Sequence, residues 1–142
     1  MCGLRTKRQQ RLLYATATVS DSPAIVLVAE DDPVVLDLLV AVLREELGVR
    51  ALGVRDGREA LRLVEDGGVD LVVVDVTMSG LDGAGLAARM RARPETRAIP
   101  IVATSAAPGG GPSIAPWSSA FVAKPFELER LIEVVRRNLP RG

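Results

Sequence analysis

The sequence has no histidine. That removes imidazole general bases, zinc sites built on imidazole and any part as a phosphohistidine donor. It has one cysteine, Cys2, so no intrachain disulfide can form and nothing points to an oxidising compartment. No apolar run approaches the ~20 residues a membrane-spanning helix needs. The short apolar core Leu12-Leu13-Tyr14-Ala15 is a poor fit to a signal peptide. There is no glycine-rich phosphate loop of the P-loop type, so nucleotide hydrolysis has no support. Nor is there an excess of either charge: 18 basic residues stand against 18 acidic ones, which argues against a protein that coats nucleic acid.

What is present is a soluble, globular balance. The chain has 142 residues, of which 48% are hydrophobic and 25% charged, enough for one domain with its own core. The charge is uneven along it. Residues 1–22 carry Arg5, Lys7, Arg8 and Arg11 against Asp21 alone and show no long periodic pattern, so they read as a flexible basic extension. From residue 23 the pattern changes. Ile25 to Ala29, Leu71 to Val74, and Ile99 with Ile101 to Ala103 are short, unbroken apolar runs, the mark of strands buried on both faces. Val49 to Val54 and Ala120 to Val122 are weaker strand candidates.

Helical patterns lie between these runs. Pro33 to Leu47 repeats leucine at three- and four-residue spacings and stops at Gly48. Arg58 to Glu65, Ala84 to Arg93 and Glu127 to Leu139 follow, each closed by glycine or proline. Alternation of this kind predicts a doubly wound α/β domain, a five-stranded parallel sheet of flavodoxin-like (βα)5 type, over residues 23–140. Residues 105–119 read SAAPGGGPSIAPWSS. Three prolines and three consecutive glycines predict that the fourth helix, between the fourth and fifth strands, is shortened or irregular. Trp117, inside that stretch, reads as local packing.

In an open parallel sheet the chemistry gathers at the carboxyl ends of the strands. Glu30-Asp31-Asp32 follow the first run, Asp75 the third strand, Ser105 ends the fourth and Lys124 follows the fifth. Asp32 before Pro33 reads as the cap of the first helix. The others bring carboxylates, a hydroxyl and an ammonium to one edge. Crowded carboxylates repel, and a hard divalent cation such as Mg²⁺ or the lysine relieves the repulsion. A carboxylate is also a nucleophile able to form an aspartyl phosphate, and Asp75 is the best placed for it.

The segments IVLVAEDDPVVLDLL, DLVVVDVTMSGLDG, TRAIPIVATSA and FVAKPFELERL, in this order, resemble the receiver domain of bacterial response regulators. The resemblance covers residues 23–140 and implies residue roles. Asp75 would be the phosphoacceptor. Glu30 and Asp31 would be the acidic pair that holds Mg²⁺ together with Asp75 and the backbone carbonyl of Thr77. Ser105 would be the switch hydroxyl, Lys124 the cation that pairs with the phosphoryl group, and Phe121 the aromatic that turns with the switch. It also implies a phosphoryl donor, a sensor histidine kinase or a phosphotransfer protein, and a downstream protein target. Direct contact with nucleic acid or a membrane span is not expected, and the cytoplasm is the expected location. The reading is of a signalling domain rather than an enzyme, standing alone with no output domain after residue 140.

Departures from the family pattern are Ser79, where a proline is common, and the proline- and glycine-rich fourth connection, which predicts an altered dimer face. Ala107 has no group to orient an attacking water, which predicts slow autodephosphorylation. A phosphorylation-independent binding module on the same fold is the alternative function. A haloacid dehalogenase-like hydrolase is a third, but its Asp-x-Asp-x-Thr pattern lacks its second Asp in Asp75-Val76-Thr77.

Overall fold

The unbroken apolar runs are strands of one parallel sheet. In the computed structural model, which describes residues 22–106 and 113–140, the elements are β1 (Ile25–Ala29), α1 (Pro33–Leu47), β2 (Arg50–Val54), α2 (Gly57–Asp66), β3 (Leu71–Asp75), α3 (Gly83–Arg91), β4 (Ile101–Ser105), β5 (Ala120–Ala123) and α4 (Leu128–Asn138). The sheet order is β2-β1-β3-β4-β5 with every pair parallel. This is the flavodoxin-like doubly wound order, and its switch point falls between β1 and β3, where strand order reverses.

The strands lack apolar/polar alternation because both faces are covered. Val26, Val28, Leu71, Val73, Val102 and Val122 point to one side and meet Leu36, Leu39 and Leu43 of α1 and Leu131 and Val135 of α4. Leu27, Ala29, Val72, Val74, Ile101 and Ala103 point to the other side and meet Ala60 and Val64 of α2 and Leu86, Ala87 and Met90 of α3. Helices on two faces keep water from the ladders and leave only strand ends open to chemistry. Residues 1–21 of the basic extension over residues 1–22, and Ala107, lie outside the described residues.

Helix boundaries follow local chemistry. Asp32 is the N-cap of α1, its carboxylate accepting from the amides of Val34 and Val35, with Pro33 in the first turn. Gly48 ends that helix at φ +65°, a left-handed conformation that glycine adopts without penalty. One expectation needs correcting: Ile99 is buried but lies in the turn before Pro100, so β4 begins at Ile101. Its apolar side chain beside the third run predicts a strand that the backbone does not form.

The described part of the fourth connection is irregular, as its composition predicts. Within its described part only residues 113–114 are helical, and a turn follows at 115–117. Ile114 is fully buried and Trp117 packs against the same cluster, so the segment fills the α2/α3 side of the sheet without a regular helix. Arg91 ties it down. Its guanidinium donates to the carbonyls of Trp117 at 2.9 Å, Arg97 at 2.7 Å and Ile99 at 2.6 Å.

The loop after β3 sits close against α2. A Cβ built on Gly57 would lie 1.8 Å from the carbonyl oxygen of Leu81, and one on Gly83 would lie 2.6 Å from that of Asp75. Both neighbours are backbone and cannot swing aside. Gly57→Ala is expected to lower unfolding stability by about 1–3 kcal/mol, the range of core overpacking. Urea unfolding checks this; a loss below about 0.5 kcal/mol would mean the loop yields freely.

Candidate functional site

Parallel pairing brings the strand ends level. Ala29 pairs with Val74, Asp75 with Thr104 and Ser105 with Ala123. Glu30 follows β1, Asp75 and Ser105 are the last residues of β3 and β4, and Lys124 follows β5. The Lys124 amide donates to the Ser105 carbonyl at 2.8 Å, which extends the β4–β5 ladder to the lysine. The Lys124–Pro125 peptide bond is cis.

The lysine joins two acids far apart in sequence. Lys124 Nζ lies 2.8 Å from Glu30 Oε1 and 3.1 Å from Asp75 Oδ2. Glu30 is 2% exposed and Asp75 6%, so each carboxylate depends on partners within the protein. The second oxygen of each is also occupied. Glu30 Oε2 accepts from the Asp32 amide at 3.1 Å. Asp75 Oδ1 accepts from the Thr77 amide at 3.0 Å and the Thr77 hydroxyl at 3.2 Å. Burial works to lower the pKa of the Lys124 ammonium, but its hydrogen bonds to Glu30 and Asp75 and the charges of both acids outweigh it. The net shift is upward, and the lysine stays charged at neutral pH.

Asp31 has a different set of contacts. It is exposed; its Oδ1 accepts from the Ser79 hydroxyl at 3.1 Å, and its backbone oxygen accepts from Arg55 Nε at 3.3 Å. Ser105 is buried at the end of β4. Phe121, on β5, is partly buried against the α2/α3-side cluster and borders an open groove of about 560 Å³ with Pro125, Phe126 and Arg130. The geometry thus brings Glu30, Asp75 and Lys124 into direct contact, seats Thr77 on Asp75, and leaves Asp31 bonded to the loop after β3.

The sequence reading did not anticipate the Thr77 hydroxyl on Asp75, Ser79 on Asp31 or Arg55 behind Asp31. Only the first had a local signal, an Asp followed two residues later by a donor, the Asx-turn spacing.

Two buried carboxylates on one ammonium, with Asp31 next in the chain, leave the pocket negative. Every acidic donor is oxygen, the type a hard divalent cation takes. Charge and donor type therefore fit Mg²⁺. Among the described residues, however, no three His, Cys, Asp or Glu side chains form a group that could hold a metal.

The response regulator receiver domain model matches residues 26–136, and the chain belongs to that family. It is 35% identical over 118 residues to the transcriptional regulatory protein TcrA of Mycobacterium tuberculosis, a match covering 82% of this chain and 46% of that protein. The chain spans about half the length of the curated relatives it matches. Among solved structures, a candidate response regulator from Chloroflexus aurantiacus superimposes with TM-score 0.78 at 29% identity, covering 84% of this chain and 100% of that one. The receiver domain of a sensor histidine kinase from Pseudomonas aeruginosa, which has a magnesium ion coordinated in its active site cleft, gives 0.73 at 28% identity, covering 82% and 98%. Among the described residues no helix is long and apolar enough to cross a membrane.

Proposed function

We propose that this receiver accepts a phosphoryl group on Asp75 from a sensor histidine kinase or a phosphotransfer protein, and that the modified site switches a surface read by a downstream protein. The observation that carries this is the bridge from Lys124 to Glu30 and Asp75, a nucleophile, a cation and a second acid held together at the switch point of the sheet. Asp75 Oδ2, the oxygen beside the Lys124 ammonium, is the proposed nucleophile, while Oδ1 accepts both hydrogen bonds from Thr77. Its bond to phosphorus forms as the bond from phosphorus to the donor's nitrogen or oxygen breaks. The leaving group departs with that electron pair.

Transfer of this kind needs charge neutralisation more than a proton shuttle. Lys124 supplies one positive charge beside the reacting oxygen. Glu30, Asp31, Asp75 and the Thr77 carbonyl are the proposed ligands of Mg²⁺, which when bound offsets the carboxylates and the phosphoryl oxygens. No separate substrate is turned over, so the domain acts as a signalling element that loses its phosphoryl group slowly. A two-component signalling role places it in the cytoplasm, where such donors act.

The switch follows from the added charge. A phosphoryl group on Asp75 presents new acceptor oxygens, and Ser105 at the neighbouring strand end donates to one. Phe121 then turns into the space released on the core side and leaves the groove it borders. Moving a population from mostly off to mostly on takes about 5.5 kcal/mol of differential stabilisation. Charge-assisted hydrogen bonds at about 1.5–3 kcal/mol each reach that sum with two to four contacts.

Metal removal tests the reading. Incubation with acetyl phosphate and Mg²⁺ is expected to add one phosphoryl mass to the intact protein, and chelation with EDTA to prevent it. Equal uptake with and without the metal would contradict the ligand assignment. No uptake from acetyl phosphate or a phosphotransfer protein would favour a binding module that does not respond to phosphorylation.

A further inference from the structure

The loop between β3 and α3 holds two of the three acids on which the proposed chemistry depends, Asp75 and Asp31. Thr77 binds the phosphoacceptor and Ser79, two residues on, donates to Asp31 from 48 positions away in sequence. The loop is well supported on its other side. Leu81 packs against Gly57, and Gly80, at φ +76°, sits against the carboxylate of Asp56, which also caps α2 through the Arg58 amide. Ser79 is therefore presented from a supported backbone. The backbone of Asp31 is held in turn by Arg55. What remains adjustable is the Asp31 carboxylate, and in this arrangement it is bonded to a hydroxyl while no three acids among the described residues form a metal-holding group.

We infer that Ser79 is a latch on Asp31: its hydroxyl holds the carboxylate in the metal-free site and releases it when the acidic pair takes a divalent cation. The inference rests on the Mg²⁺ assignment made above and goes beyond it by naming a positioning residue that sets the affinity of the site. The ion competes with an internal hydrogen bond. Its apparent affinity is reduced by the fraction of molecules in which Asp31 is free. A proline at this position has no hydroxyl, so the latch belongs to the side chain this sequence carries.

The test is a Mg²⁺ titration of the full chain at constant ionic strength, followed by the amide NMR shifts of Asp31 and Thr77 without any phosphoryl donor. Ser79→Ala is expected to bind Mg²⁺ at least about threefold more tightly than the parent, because the latched population is removed. Ser79→Thr, which keeps a hydroxyl, is expected to match the parent. In an Asp31→Asn background, adding Ser79→Ala should leave the affinity unchanged, since the pair no longer holds a carboxylate. Unchanged or weaker binding by Ser79→Ala, with the parent binding normally, would overturn the latch and leave the metal assignment standing. A parent that does not bind Mg²⁺ would overturn both.

Discussion

Replacing Lys124 with methionine is expected to cost about 3 kcal/mol of unfolding stability at neutral pH, the low end of the cost of breaking a buried ion pair. The reason is what stays behind. Glu30 and Asp75 both lose the ammonium between them and face each other inside the protein, with side-chain exposures of 2% and 7%. The low end is appropriate because the lysine side chain itself is 20% exposed and water can enter where it stood. The loss should depend on pH with a definite sign. In the parent, the Lys124 pKa is raised, so its contribution is complete below the ordinary lysine range of about 10.4 and fades only as pH rises beyond it. Urea unfolding of both proteins at pH 7.5 checks the size of the loss. A deficit under about 1 kcal/mol would mean the two carboxylates do not depend on the lysine.

The second large effect concerns chemistry. Asp75→Asn is expected to abolish phosphoryl uptake while leaving the domain folded. The amide has no anionic oxygen to attack phosphorus, so the loss should be complete. Folding should survive because Glu30 keeps its 2.8 Å contact with Lys124, and the one ammonium then faces one acid in place of two. The substitution thus separates reaction from stability, whereas Lys124→Met affects both. Residual uptake on another acid, Asp31 or Glu30, would show that the pocket directs phosphorus less strictly than the Thr77 and Lys124 contacts suggest.

The contrast between what the sequence disclosed and what it concealed has a physical basis. β1 and β3 were legible because strands covered on both faces read as unbroken runs such as Ile25 to Ala29. α1 was legible at both ends because Asp32, Pro33 and Gly48 are local signals whose geometry depends on a few neighbours. The positions of Glu30, Asp75, Ser105 and Lys124 followed from topology, since parallel strands send their carboxyl ends to one edge. Ile99 misled because an apolar residue beside a strand is buried whether or not it pairs.

Contacts between loops left no trace of this kind. Ser79 on Asp31, Arg55 behind Asp31 and Arg91 on three carbonyls arise where turns approach in space, and no periodicity links their positions. Arg91 reads in sequence as one more basic residue in the last turn of a helix. Its three carbonyl partners join the turn before β4 to Trp117 in the described part of the fourth connection.

The most direct test of the central claim is the intact mass of parent and Asp75→Asn after incubation with acetyl phosphate and Mg²⁺, with the modified peptide located by fragmentation. The account predicts one added phosphoryl mass on the parent, placed on Asp75, and none on the variant. Equal uptake by both proteins, or a parent phosphoryl group on any other residue, would contradict it.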